Sequence, residues 1–552
     1  MRETVDSFKE GAGLDRSSYK KIAKGKFGGW MRKEIVDLLP APFFEDPVPA
    51  IQNLEGKVIK TSKLRFAAIF PLTDGRRIFF KRDKSQGLLD SLKWLMLPSK
   101  GRKEWFIADQ LRKRNLPVPE PLGWMEKVHR GFVKESYYLS EAIGSGVSLI
   151  EDSVILGRPF ALPNLAKTLK RFHDAGLFHH DLHAGNFLWD GESFYLTDLH
   201  RAEIVRFLSL KQRLWNLSQL FLSLRSRWTE KEQMEFIEKY FEEDSFHLQQ
   251  KEGHIRKIHS LMDRLQKRHW RSRTKRCVKE STEFSIKKER GVRYYHRRDF
   301  SLEDIRRAIE EHLFLARDKP AALAKYSSEV IVSILNVGKM KVCVKQFRYP
   351  HIRDIFKDLF RPSKGRKSWV RGNGLKVRGI SSIKPMALVE RRGWLSGRES
   401  FFLMEAPEDA RELDRSILLW CKDFREKRLF IKAFAQWFSH LHQMNLYHKD
   451  MKTRNILLSK NGENLNFQLL DLEDIRLDEK VNEKKLFKNF LQLNASVPTI
   501  LTRTDRLRFF KGYLRFNPII KDQKIFLRRL MEESKRRGTV YVTPEGVIIK
   551  TT

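Results

Sequence analysis

The chain has 552 residues, more than a single hydrophobic core organises, so two or more domains are expected. Its 41% hydrophobic residues exclude a largely disordered chain, and 30 Gly and 19 Pro exclude a fibrous or low-complexity one. Lys and Arg number 108 against 69 acidic residues, a net charge of +39, so the surface must meet something anionic: nucleic acid, an acidic lipid leaflet or a phosphorylated substrate.

In chain order, the first four residues, Met1 to Thr4, lack the apolar core of a secretory leader. No stretch approaches the roughly 20 apolar residues of a membrane span, and a soluble or peripheral cytosolic protein is expected. Residues 1–50 read as an N-terminal extension. Period-two runs then begin: residues 64–70 (LRFAAIF), a turn at Asp74-Gly75, and 76–81 (RRIFFK), the pattern of a hairpin. Residues 99–115 are helix-like and further strands run through 137–143 (YYLSEAI). After Pro163 the spacing turns helical, with Leu165, Leu169, Phe172 and His173 three and four apart. The expected unit is a small β-rich lobe followed by a larger helical lobe, with a ligand cleft between them.

The same order then recurs. Residues 98–105 (PSKGRKEW) match 362–369 (PSKGRKSW) at seven of eight positions. Residues 137–143 answer 401–407 (FFLMEAP), 179–188 (HHDLHAGNFL) answer 448–457 (HKDMKTRNIL), and 216–220 (NLSQL) answer 489–493 (NFLQL). A tandem duplication follows, read as a first domain over 51–270, a basic linker over 271–325 and a second domain over 326–552. Residues 264–279 carry eight Lys or Arg and no acid, which suits either a solvated helix face or contact with phosphates or lipid headgroups. The three cysteines, Cys277, Cys343 and Cys421, form no close pair; neither a disulfide framework nor a zinc site is expected.

Each copy carries one constellation. Asp181 is followed by Asn186 and Asp198; Asp450 is followed by Asn455 and Asp471. Each Asp–Asn pair stands in a loop after a helix and before an apolar strand, and the distal Asp lies in the next strand. Such a hairpin gathers two carboxylates and an amide oxygen at one rim, hard ligands suited to magnesium. Protein-kinase-like phosphotransferases use this set: the first Asp takes the acceptor proton, and the Asn and distal Asp hold metal on the phosphates. His179 and His448 stand two residues before the first Asp, where that fold braces its catalytic loop. Lys81 and Lys345, ending apolar strands, are the expected phosphate-binding lysines, with Glu104 as the helix partner of Lys81. Ser368 stands at the matching place in copy two, so Lys345 either finds another acid or copy two is impaired. Glu141 and Glu405 lie where an adenine-binding hinge is expected, and no Gly-rich loop is present.

The runs 179–188 and 196–204 (LTDLHRAEI), with 361–390 of copy two, resemble the bacterial lipopolysaccharide kinases that phosphorylate Kdo or heptose of the inner core. The resemblance implies an α+β fold of two tandem kinase-like domains using ATP and Mg2+. It also implies a lipid-linked core oligosaccharide as substrate, at the anionic cytoplasmic face of the inner membrane, with Arg201 either shaping the site or lying on the surface. Which sugar is modified stays open. Competing readings are a kinase acting on protein or a small molecule, for which Lys452 two residues after Asp450 speaks, and a pseudokinase scaffold. A nucleic-acid binder is suggested by charge alone and is not expected.

Overall fold

The computed structural model describes residues 17–551 apart from 86, 88–93, 95–96, 145, 152, 159, 349–360, 393–397, 408 and 463. The chain divides into two compact units, Met1–Gln266 and Lys267–Thr552. Each is an antiparallel seven-stranded sheet followed by a helical lobe, the α+β arrangement expected.

In the first unit the strands are β1 (Tyr19–Lys24), β2 (Phe27–Arg32), β3 (Lys57–Thr61), β4 (Arg65–Pro71), β5 (Arg77–Lys84), β6 (Pro121–His129) and β7 (Phe132–Glu141). Their spatial order is β1-β2-β6-β7-β5-β4-β3. Two antiparallel pairs of three-residue strands follow in the helical lobe: β8 (Leu177–His179) pairs with β11 (Ala202–Ile204), and between them β9 (Phe187–Trp189) pairs with β10 (Phe194–Leu196). The second unit has β12 (Phe284–Glu289), β13 (Val292–Arg297), β14 (Lys325–Tyr326), β15 (Val330–Val337), β16 (Met340–Phe347), β17 (Pro385–Arg392) and β18 (Arg398–Glu405). Their order, β12-β13-β17-β18-β16-β15-β14, is the same path through space. The duplication is therefore structural as well as textual.

This topology moves the expected boundaries. The described part of the N-terminal extension is no extension: β1 and β2 add a hairpin to the edge of β6, and Ile22, Phe27, Met31 and Ile35 enter the sheet's core. Residues 271–325 are no linker either. β12 and β13 form the equivalent hairpin on β17, and the helix Leu302–Asp318 buries Ile305, Ala308 and Ile309 against the sheet. The physical reason is a tight turn in each hairpin. Glu289 pairs with Val292 across Arg290 and Gly291, both at positive φ (44° and 81°), which matches the twist of the flanking strands. Basic side chains on the exposed strand faces masked that alternation from a reading by charge. Cys277, Cys343 and Cys421 are free and buried.

The conserved wording of SKGRK across the two copies has a packing cause. Ser99 and Ser363 cap the helices Lys100–Arg112 and Lys364–Val377, accepting hydrogen bonds from the amides of Arg102 and Arg366. Gly101 then lets its helix lie against β7: a Cβ there would stand 2.4 Å from the carbonyl oxygen of Tyr137. Gly365 meets the Ser400 side chain at 2.8 Å in the same way. Each helix is thereby pressed onto the sheet beside the buried lysine.

Candidate active sites

In the first unit Lys81 lies on β5, opposite Tyr138 of β7. Its ammonium is 2.9 Å from Glu104 Oε2 and forms a short ion pair with Asp198 Oδ1. His200 Nδ1 lies 2.9 Å from the same Asp198 oxygen. Burial would depress the Lys81 pKa, but Glu104 and Asp198 outweigh it and hold the group above the ordinary lysine value. Burial would raise Asp198, yet Lys81 and His200 pull it well below the carboxylate range, while burial keeps Glu104 raised. Glu104, Asp198 and His200 present three ligand atoms within 4.8 Å of one another, but the Lys81 ammonium already sits among them as the resident cation.

The loop that follows β8 carries Asp181 and Asn186. Asn186 Nδ2 donates to the Asp181 carbonyl at 3.0 Å, which turns the nitrogen inward and leaves the amide oxygen as the acceptor. The Thr197 amide donates to the Asn186 carbonyl at 2.8 Å and so sets Asn186 beside the strand that delivers Asp198. Asp198 is in the left-handed region (φ 61°, ψ 40°), a conformation an aspartate tolerates and one found where geometry is dictated by function. An amide oxygen and a carboxylate at this rim fit magnesium by their hardness. His179 braces the loop: its Nδ1 accepts from the Asp181 amide and its Nε2 faces the Asp198 carbonyl, both at 3.2 Å. Burial lowers its pKa to about 4, so the ring is neutral. Arg201, itself exposed, ion-pairs with the Asp181 carboxylate.

The second unit repeats this and changes one part. Lys345 on β16 lies opposite Phe402 of β18. Its ammonium is 2.7 Å from Asp471 Oδ1 and 2.7 Å from Glu473 Oε1. Asn455 Nδ2 donates to the Asp450 carbonyl at 2.7 Å, Asp471 is again left-handed (φ 46°), and His448 bridges the Asp450 amide and the Leu470 carbonyl. Lys452 stands 3.0 Å from Asp450 Oδ1, where the first unit uses Arg201. Burial opposes the charge on Lys345, but Glu473 and Asp471 hold its pKa above the usual value.

Three further features escaped the sequence reading. Glu473 carries no signal in the sequence, because the expected partner acid of the lysine lies on the helix and Glu473 stands after the distal Asp. Asn216 and Gln219, and their counterparts Asn489 and Gln492, were visible only as a repeated N-x-x-Q. They fasten the loop backbone: Gln219 Nε2 donates to His180 O at 2.8 Å, and Asn489 Nδ2 and Gln492 Nε2 donate to His448 O and Lys449 O, each at 2.7 Å. A third layer, His173 with Tyr240 and His442 with Tyr513, holds those asparagines in turn. Glu141 and Glu405 end β7 and β18, exposed, and take no part in either ion-pair cluster.

The sequence pattern of the Lipopolysaccharide kinase (Kdo/WaaP) family matches residues 50–240 and 344–513. A 3-deoxy-D-manno-octulosonic acid kinase of Stenotrophomonas maltophilia (strain R551-3) is 34% identical over 122 residues, 22% of this chain and 48% of that protein. A protein of the same name from Xanthomonas campestris pv. campestris (strain B100) is 34% identical over the same shares. The chain thus spans about half the length of the curated relatives it matches. Among solved structures, WaaP in complex with acyl carrier protein is 20% identical, covering 39% of this chain and 88% of that one, with a TM-score of 0.31. The two matched stretches contain both lysines and both Asp–Asn–Asp sets and make up most of the sequence: this chain belongs to the Lipopolysaccharide kinase (Kdo/WaaP) family.

Proposed function

We propose that the protein transfers the γ-phosphoryl group of ATP to a hydroxyl of Kdo or heptose in the inner core of lipopolysaccharide. The observation that carries this reading is the first unit's buried Lys81, paired to Glu104 and Asp198, beside the braced loop of Asp181 and Asn186. In this reading Lys81 binds the nucleotide's phosphates, and Glu104 keeps the ammonium in place. Asn186 and Asp198 would hold magnesium, which when bound neutralises phosphate charge. Asp181 accepts the proton of the sugar hydroxyl as that oxygen bonds to phosphorus and the bond to the ADP oxygen breaks. Arg201 fixes the Asp181 carboxylate until the hydroxyl arrives. Positioning and charge complementarity supply most of the rate. Glu141 and Glu405 would flank the base.

The acceptor in this reading is lipid-linked, and the net charge of +39 suits an anionic cytoplasmic leaflet. Arg264, Arg268, Arg273, Lys275 and Arg276 are exposed on and after the helix Lys251–Thr274, and among the described residues no helix is long and apolar enough to cross a membrane. The test is to incubate the chain with Mg-ATP and deacylated inner-core oligosaccharides ending in Kdo or in heptose. ADP formation matched by one phosphate added to one of these sugars supports the reading. Nucleotide binding without phosphate transfer to either sugar contradicts it.

A further inference from the structure

Resting on that reading of the first unit, we propose that the second unit is a nucleotide site in its own right, in which Glu473 performs the task of Glu104. The two units place the same charges round the lysine from different positions. In the first, the helix gives Glu104 and the residue two after the distal Asp is His200. In the second, the helix gives Ser368 and the residue two after the distal Asp is Glu473. The partner acid has moved from the helix to the position two after the distal Asp, and each ammonium meets two carboxylates.

Glu473 is also held as a strut. Its Oε1 pairs with Lys345 at 2.7 Å, its Oε2 accepts from the Ser368 hydroxyl at 3.1 Å, and its carbonyl accepts from Arg371 of the same helix. The helix Lys364–Val377 is thus tied to the lysine through Glu473, as the helix Lys100–Arg112 is tied directly through Glu104. A lysine this buried with a single carboxylate would be costly to keep charged; the second acid, 2.7 Å from the ammonium, offsets part of that cost. The loop Asp450–Asn455 and the left-handed Asp471 are present in the same arrangement as in the first unit. The ligand is therefore a magnesium-bound nucleoside triphosphate, and Glu473 is a positioning residue for Lys345.

The experiment is calorimetric titration of the full chain with a non-hydrolysable ATP analogue and magnesium. Two equivalents per chain are expected, one removed by Lys81→Met and the other by Lys345→Met. Glu473→Gln weakens the Lys345-dependent event by about tenfold or more, roughly the loss of one charged hydrogen bond. Adding Ser368→Glu to Glu473→Gln restores the helix-borne acid and recovers affinity, which repair of a merely structural defect would not do. One equivalent that survives Lys345→Met and Glu473→Gln but is lost in Lys81→Met overturns the inference and leaves the first site standing. No equivalent at all overturns both. Weakening without rescue by Ser368→Glu removes the assigned role of Glu473.

Discussion

At the scale of single residues, the lysine clusters set the account's energetics. Glu104 is 3% exposed, so Lys81→Met leaves a carboxylate without its cation in a dry place. Loss of one member of a buried pair costs about 3 kcal/mol. Lys81→Met should lower the urea stability of the first unit by that order, and Lys81→Met with Glu104→Gln should recover a good part of it. The histidines behind the loops make a second prediction. Burial lowers His442 to about 4 from 6.5. The unfolded chain therefore binds a proton below pH 6.5 that the folded chain refuses, and stability falls as pH drops from 6.5 towards 4. Between pH 7 and pH 5 this group alone accounts for about 2 kcal/mol. Urea unfolding at both pH values should show that loss in the parent and a smaller one in His442→Gln; an equal loss in the variant would contradict it.

At the scale of elements, the two glycines beside the lysines carry different loads. A Cβ at position 101 meets the backbone of Tyr137, which cannot turn aside, whereas one at 365 meets the rotatable Ser400 hydroxyl. Gly101→Ala should cost about 1–3 kcal/mol by overpacking and loosen the helix that carries Glu104. Gly365→Ala should cost less, as read by the midpoints of chemical unfolding. Equal midpoints would contradict the close approach of helix and sheet. The elements also show what was legible. The Asp–Asn pairs, the distal Asp and both lysines recurred in the same order in a repeated text, Glu104 stood in the first copy alone, and the structure brings Lys81, Glu104 and Asp198 together. The edge hairpins were not legible, because Lys20, Lys21, Lys287 and Lys288 break the apolar alternation on strands with one solvent face. Glu473 was not legible because its task is defined by distance to Lys345, across 128 residues of chain, and spacing alone cannot show that.

At the scale of the whole molecule, the duplication and the charge belong to one explanation. Two units with one topology each offer a lysine cluster and a loop, and an excess of cations covers the surface. Sedimentation with anionic vesicles should be strong at low salt and fall steeply as the salt is raised, since the Debye length shrinks from about 30 Å at 0.01 M to about 3 Å at 1 M. Binding indifferent to salt would contradict an electrostatic account of the charge.

The central claim is that the first unit's Asp181 receives the proton of a sugar hydroxyl during phosphoryl transfer. The most direct measurement compares the parent chain with Asp181→Asn for phosphate transfer from Mg-ATP to truncated inner-core lipopolysaccharide, followed by mass spectrometry. The account predicts a loss of at least 10²-fold in the transfer rate, the usual worth of a positioned base, with nucleotide affinity and unfolding midpoint retained. Full transfer by Asp181→Asn would contradict it.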